Sequence, residues 1–131
     1  MTGFELALAC LALNVYHEAR SEPLTGQYAV AFVTINRARE TNADICDVVF
    51  ASKQFSWTEG ARDASGKLRA KYMPHGTAWT MAKDVARVAL DNPRADFTRG
   101  ATHFHADYIA TPVWTRNMLP LSKYGRHYFY K

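Results

Sequence analysis

The sequence predicts an α+β domain that is predominantly helical and carries a small antiparallel sheet of two or three strands. Three observations predict it. Apolar residues recur at helical spacing in separate blocks up to about residue 90. The period is lost after the Asp91-Asn92-Pro93 turn, and the short aromatic segments beyond it follow Gly100 and Gly125, as strands follow turns. With 131 residues and 48% hydrophobic content, the chain can bury one substantial core, so residues 1–131 read as a single domain.

In the first helix Phe4, Leu8, Leu11 and Val15 recur at alternating steps of four and three, the spacing of one buried face. The next place on that stripe is Glu18. A carboxylate where an apolar residue is expected is a local conflict, and such conflicts concentrate at functional sites. Ser21, Glu22 and Pro23 read as a break and restart, with Ser21 as the cap and Pro23 in the first turn of the next helix. That helix runs to about Glu40. Ala29, Val30, Phe32, Val33 and Ile35 cover so much of its circumference that it reads as the central buried helix, interrupted at Asn36 and Arg37. Asp44 is placed to cap a short third helix through Ile45, Val48, Val49 and Phe50.

From Gln54 to Met73 no period is sustained, and Gly60 and Gly66 stand among alternating charges, which reads as a long loop or flap. A further helix starts near Thr77 on Trp79, Ala82, Ala86, Val88, Ala89 and Leu90. The segments Ala101 to Ala106 and His127 to Tyr130 are expected to pair as strands, with Gln54 to Trp57 as the candidate third.

Sixteen Lys and Arg against 12 Asp and Glu give a formal charge of +4. Such a balance favours polyanions in general: nucleic acid, anionic lipid or bacterial wall polymers. The cations are scattered singly, so no nucleic-acid interface is expected. Cys10 and Cys46 lie in apolar runs without a CxxC pair and read as two buried free thiols. Leu6 to Leu13 is apolar but short, with Glu5 before it and no N-terminal cation. It reads as a core helix rather than a signal peptide or membrane span, in a chain made in the cytoplasm without its own export signal.

His17-Glu18 opens the zinc-protease pattern HExxH, but position 21 is Ser, and Glu22 lies five residues from His17, off its face. His103 and His105 form an HxH pair that a strand would project to one side. Spacing fixes no third ligand, so they read as hydrogen-bonded or cleft-lining histidines, and no metal or cofactor is expected. There is no GxSxG elbow and no glycine-rich phosphate loop. What remains is carboxylate chemistry beside the aromatics Phe55, Trp57, Phe104, Tyr108 and Trp114. Sugar rings pack their flat C–H faces on such rings while polar side chains bond the hydroxyls.

Tyr16-His17-Glu18-Ala19-Arg20-Ser21-Glu22, then Gly26-Gln27, Ala29-Val30-Ala31 and Ile35-Asn36-Arg37, resemble the opening of the SleB-type cell-wall hydrolases. Gln54-Phe55-Ser56-Trp57 is similar to that family's QFSW segment, Gly100-Ala101-Thr102-His103-Phe104 to its GATHY strand, and Gly125 to Tyr130 to its closing GxHxFY. The blocks occur in the family's order across almost the whole chain. His17 and Ser21 stand where the family has Gly, and Ala106-Asp107 where it often has Asn-Pro.

The resemblance implies a lysozyme-like two-lobed fold, a cleft between the lobes and a single catalytic glutamate, which would be Glu18. It implies peptidoglycan as substrate, cleaved between its two amino sugars by a lytic transglycosylase or a muramidase. A glutamate on an apolar stripe suits an acid that must hold its proton near neutral pH. Glu22 is either a second carboxylate at the substrate or a structural group. Gln54 and Ser56 are expected to hydrogen-bond the glycan, Phe55, Trp57, Tyr108 and Trp114 to contact its faces, and His103 to line the cleft. A compact monomer of this kind looks more like a phage endolysin or virion-associated wall hydrolase than a spore enzyme. The alternatives are a metal-dependent amidase or peptidase built on His103, His105 and His127, and a non-catalytic wall-binding module.

Overall fold

Thr2 starts the first helix, α1 (Gly3–Ala19), through a reciprocal cap. Its hydroxyl accepts the Glu5 N–H at 3.1 Å, and the Glu5 carboxylate accepts the Thr2 N–H at 3.2 Å. The structure, a computed structural model, describes residues 2–51, 58 and 60–131. Leu8, Leu11 and Val15 are buried as their stripe predicts, but Phe4 is exposed at the helix start. Cys10 to Val15 are buried in unbroken succession, so the middle turns of α1 are enclosed on nearly all sides. The buried centre is therefore shared by α1 and α2 (Leu24–Thr41), rather than belonging to α2 alone.

Pro23, not Ser21, holds the N-cap position of α2, in extended backbone and without a side-chain cap bond. A short helix α3 (Ile45–Val49) follows, with Asp44 at its N-cap position but its carboxylate making no capping bond. The last long helix, α4 (Thr77–Asp91), ends where the Asn92-Pro93 turn was expected to end it. Its buried face is Trp79, Ala82, Val85, Ala86 and Ala89, with Val88 exposed. These pack with Leu8, Leu11, Ala12 and Val15 of α1 and Phe32 and Ile35 of α2 into the main core. The alanines allow close helix approach, and each fully buried large aliphatic chain contributes about 1.5–3 kcal/mol.

The two cysteines do not stay free. Cys10 of α1 and Cys46 of α3 form a disulfide, with Cα atoms 5.3 Å apart, inside a small cluster with Val49. The expectation of free thiols failed because spacing in sequence says nothing of which helices become neighbours.

Among the described residues the sheet has three strands, β1 (His103–Ala106), β2 (Pro120–Tyr124) and β3 (His127–Tyr130), antiparallel in the order β1-β3-β2. The pairing of β1 with β3 matches expectation, with His103 opposite Tyr130 and His105 opposite Tyr128. The third strand was missed. Pro120 at its start and the polar Ser122 and Lys123 hide it, although proline is tolerated at the first residue of an edge strand. Gln54 to Trp57, the segment proposed for that place, lies outside the described residues. Phe129, from the central strand, packs with Ala29, Val30 and Val33 and fastens the sheet to α2.

Candidate active site

Ala19 is buried among Ala29, Val30, Ala101 and Phe129, which pins the end of α1 at the junction of helices and sheet. One residue earlier, Glu18 is half-buried and lines a cavity of about 490 Å³. His17, Glu18 and Arg37 form the helical wall. His103 to Ala106, Tyr108, Ile109, Pro112, Trp114 and His127 form the wall on the sheet side. The cavity therefore runs between the helical part and the sheet part, as the two-lobed expectation required.

Asn36 builds part of this arrangement. Its side-chain amide donates to Asp96 Oδ2 and to the Ala101 carbonyl, both at 2.9 Å, and its Oδ1 accepts from Arg39 at 3.0 Å. Asp96 also accepts from Thr98 N–H, the Thr98 hydroxyl and Gly100 N–H, at 2.8, 2.6 and 3.1 Å. Burial works to raise the Asp96 pKa, but these hydrogen bonds together outweigh it and hold the carboxyl below its ordinary value. The approach to β1 is thus tied to α2 one residue before Arg37. The sequence signal was the interruption of a buried helix by Asn36 and Arg37.

Four of the five histidines of the chain line the cavity. Burial, then the nearby Arg20 cation, lowers the His17 pKa. Burial, then Arg37, lowers that of His103 against an opposing pull from Glu40. Burial lowers that of His127 as well, opposed chiefly by Glu22 and Asp107. In all three rings burial thus favours the neutral imidazole, which serves as a hydrogen-bonding group, over the cation. His105 has both nitrogens engaged, Nδ1 with the Ala106 carbonyl at 2.9 Å and Nε2 with the Tyr130 hydroxyl at 2.7 Å. A carbonyl only accepts, so the His105 proton sits on Nδ1, and Nε2 accepts from Tyr130. Burial raises the Tyr130 pKa and so keeps that hydroxyl protonated.

Trp114 stands over this wall with its ring 5.4 Å from His103, 5.8 Å from His105 and 5.4 Å from Tyr130. Tyr108 is largely exposed, its ring stacked under the Arg126 guanidinium at 4.5 Å. Among the sequence candidates, Glu18, His103, Tyr108 and Trp114 therefore meet around one cavity. Gln54, Phe55, Ser56 and Trp57 lie outside the described residues. Glu22 lies apart from the cavity-lining set. Its side chain is 7% exposed, with Oε1 accepting the Arg126 backbone N–H at 2.5 Å and lying 3.7 Å from His127 Nδ1. It does not pair with Arg20, which stacks on Tyr16 instead.

His105 is both hydrogen-bonded and cleft-lining, as its HxH spacing was read, whereas His17, Arg37 and His127 were not singled out as contributors to this cleft. Only the fold brings them together. Among the described residues no group of three His, Cys, Asp or Glu is arranged to hold a metal ion.

A sequence profile described as Cell Wall Hydrolase matches residues 21–130. The catalytic domain of the germination-specific lytic transglycosylase SleB from Bacillus anthracis is similar in structure, with TM-score 0.74 and 28% identity. The match covers 95% of this chain and 93% of that one. The catalytic domain of the Bacillus cereus SleB protein is also similar, with TM-score 0.72 and 28% identity over 97% of this chain and 91% of that one. No curated protein matches the chain.

Proposed function

Because the chain belongs to the cell wall hydrolase family, we propose that it cleaves the glycan strands of peptidoglycan as a lytic transglycosylase, with Glu18 as the acid/base. One observation carries this reading. Among the described residues lining the cavity, Glu18 is the single carboxylate. A glycosidase that hydrolyses with two carboxylates needs the second one facing the substrate, across or beside the bond. Glu22, the nearest alternative in sequence, is buried against the β2–β3 turn.

A lone glutamate suffices for intramolecular cleavage. Glu18 gives its proton to the glycosidic oxygen as the bond to C1 breaks. The resulting carboxylate then takes the proton of the C6 hydroxyl as that oxygen bonds C1. Glu18 ends protonated as it began, and the product carries a 1,6-anhydro ring. Trp114 stacks on a sugar face, while Tyr108 and His103 contact the glycan around it. In the same proposal Gln54 and Ser56 hydrogen-bond the glycan, and Phe55 and Trp57 pack on it. The likeness to a lytic transglycosylase domain supports this choice over hydrolysis.

In this proposal the enzyme acts as a monomer on the bacterial wall, in the manner of a phage lysis protein. The Cys10–Cys46 disulfide fits work in an oxidising space outside the cytosol. The test is mass spectrometry of sacculi digested by the purified enzyme. Glycan ends lighter by one water than reducing ends are expected. Reducing ends alone would overturn the transglycosylase assignment, and intact glycan with cleaved peptides would overturn glycan cleavage.

A further inference from the structure

Glu22 is fixed from three sides. Its backbone carbonyl accepts the Gln27 side-chain N–H at 3.1 Å, and its carboxylate accepts the Arg126 backbone N–H at 2.5 Å. A Cβ on Gly125 would lie 2.4 Å from Oε1, so the turn between β2 and β3 is shaped to admit this carboxylate. The same oxygen lies 3.7 Å from His127 Nδ1, and both side chains are 7% exposed. His127 Nδ1 is sealed from solvent without a hydrogen-bond partner. The ring nevertheless lines the Glu18 cavity, so the nitrogen it offers there is Nε2. Phe104, edge-on at 5.1 Å, and Phe129 at 6.3 Å set the plane of the ring.

We infer that Glu22 and His127 form a carboxylate–imidazole pair that aims His127 Nε2 into the cleft as the acceptor for an N–H or O–H group of the bound amino sugar. Facing a carboxylate, a neutral imidazole places its proton on Nδ1, which leaves the Nε2 lone pair toward the cavity. The other charged and titratable groups that act on the ring are His105, Asp107 and Arg126, and it shares the cavity with Glu18, His17, Arg37, His103 and Tyr108. Burial is the largest influence on His127 and lowers its pKa against the pull of Glu22 and Asp107, favouring the neutral ring that an acceptor must be. The 3.7 Å separation is longer than a hydrogen bond and within ion-pair range, so the carboxylate acts on the ring as a close negative charge. No proton leaves the pair. His127 holds the sugar while Glu18 does the chemistry, and Glu22 is a positioning residue acting through His127.

The inference rests on the proposed glycan substrate, and its test separates the two. Nitrogen-15 NMR of the full chain at pH 7 reads the His127 tautomer without any substrate. The Nδ1–H form is expected in wild type, with a shift toward mixed tautomers in Glu22→Gln. Kinetics on solubilised glycan strands then compare Glu22→Gln, His127→Ala and the double variant. Each single change is expected to lower kcat/KM about tenfold, the effect of one lost hydrogen bond to substrate, and the double variant to be no worse than His127→Ala alone. An Nε2–H tautomer in wild type, or losses that multiply in the double variant, would overturn the pair. Failure of wild type to cleave glycan would instead refute the proposed function, and the tautomer measurement would still decide the pair.

Discussion

Reducing the Cys10–Cys46 bridge should destabilise the protein by an amount that its position fixes. The bond joins α1 to α3 across a sequence separation of 36. In the chain-entropy description, closing a loop of that length removes about 12.8 cal/mol/K from the unfolded ensemble, or about 3.8 kcal/mol at 25 °C. Unfolding entropy of about 2.1 cal/mol/K per residue gives about 0.28 kcal/mol/K for this chain, so the midpoint should fall by about 14 °C on reduction. Circular dichroism melts of oxidised and fully reduced protein measure this directly. Both sulfurs lie in a buried cluster, so reduction is best done in denaturant before refolding under reductant. The double variant Cys10→Ala, Cys46→Ala should melt near the reduced protein and ignore reductant. A reduced protein melting within roughly 3 °C of the oxidised form would refute the reasoning, because the bridge would then constrain nothing the rest of the fold does not.

Other perturbations read other parts of the structure. Gly125→Ala puts a Cβ onto the Glu22 carboxylate at a backbone φ of +58°, and should cost more than about 2 kcal/mol in a urea titration. Trp114→Ala removes the ring standing over His103 and His105, and should raise KM for glycan about tenfold with a smaller change in kcat. His17, His103 and His127 have folded pKa values below the ordinary one, so the unfolded chain binds more protons as pH falls. Stability should therefore fall as the pH drops through about 6.5 and level off below the folded values, and a flat urea midpoint from pH 7.5 to 5 would contradict this. Asp96 runs in the carboxylate direction. Its contribution is complete above about pH 3.9 and is lost as pH falls through its lower folded value, so the advantage of wild type over Asp96→Asn should shrink in acid melts.

The helices were legible because their apolar spacing is local: Thr77 to Asp91 emerged with the predicted ends. The strands His103–Ala106 and His127–Tyr130 were legible from aromatics after glycines. Pro120–Tyr124 was not, because an edge strand with one polar side lacks the strong alternation of a buried one. The Cys10–Cys46 bond and the gathering of His17, Arg37 and His127 beside the His103/His105 pair are long-range facts that no local period encodes. Glu18 could be found because it breaks a pattern, a carboxylate at the next place on the stripe of Leu8, Leu11 and Val15. Glu22 was left open in sequence between a second carboxylate and a structural group, and the fold turns it to the β2–β3 turn while Glu18 lines the cavity.

The rate at which Glu18→Gln releases muropeptides from purified sacculi, measured beside wild type, tests the central claim most directly. The substitution keeps the shape and removes the proton. A fall of about a thousandfold is predicted, with sacculus binding and melting temperature retained. A variant that cleaves within about tenfold of wild type would contradict the assignment of Glu18 as the acid/base.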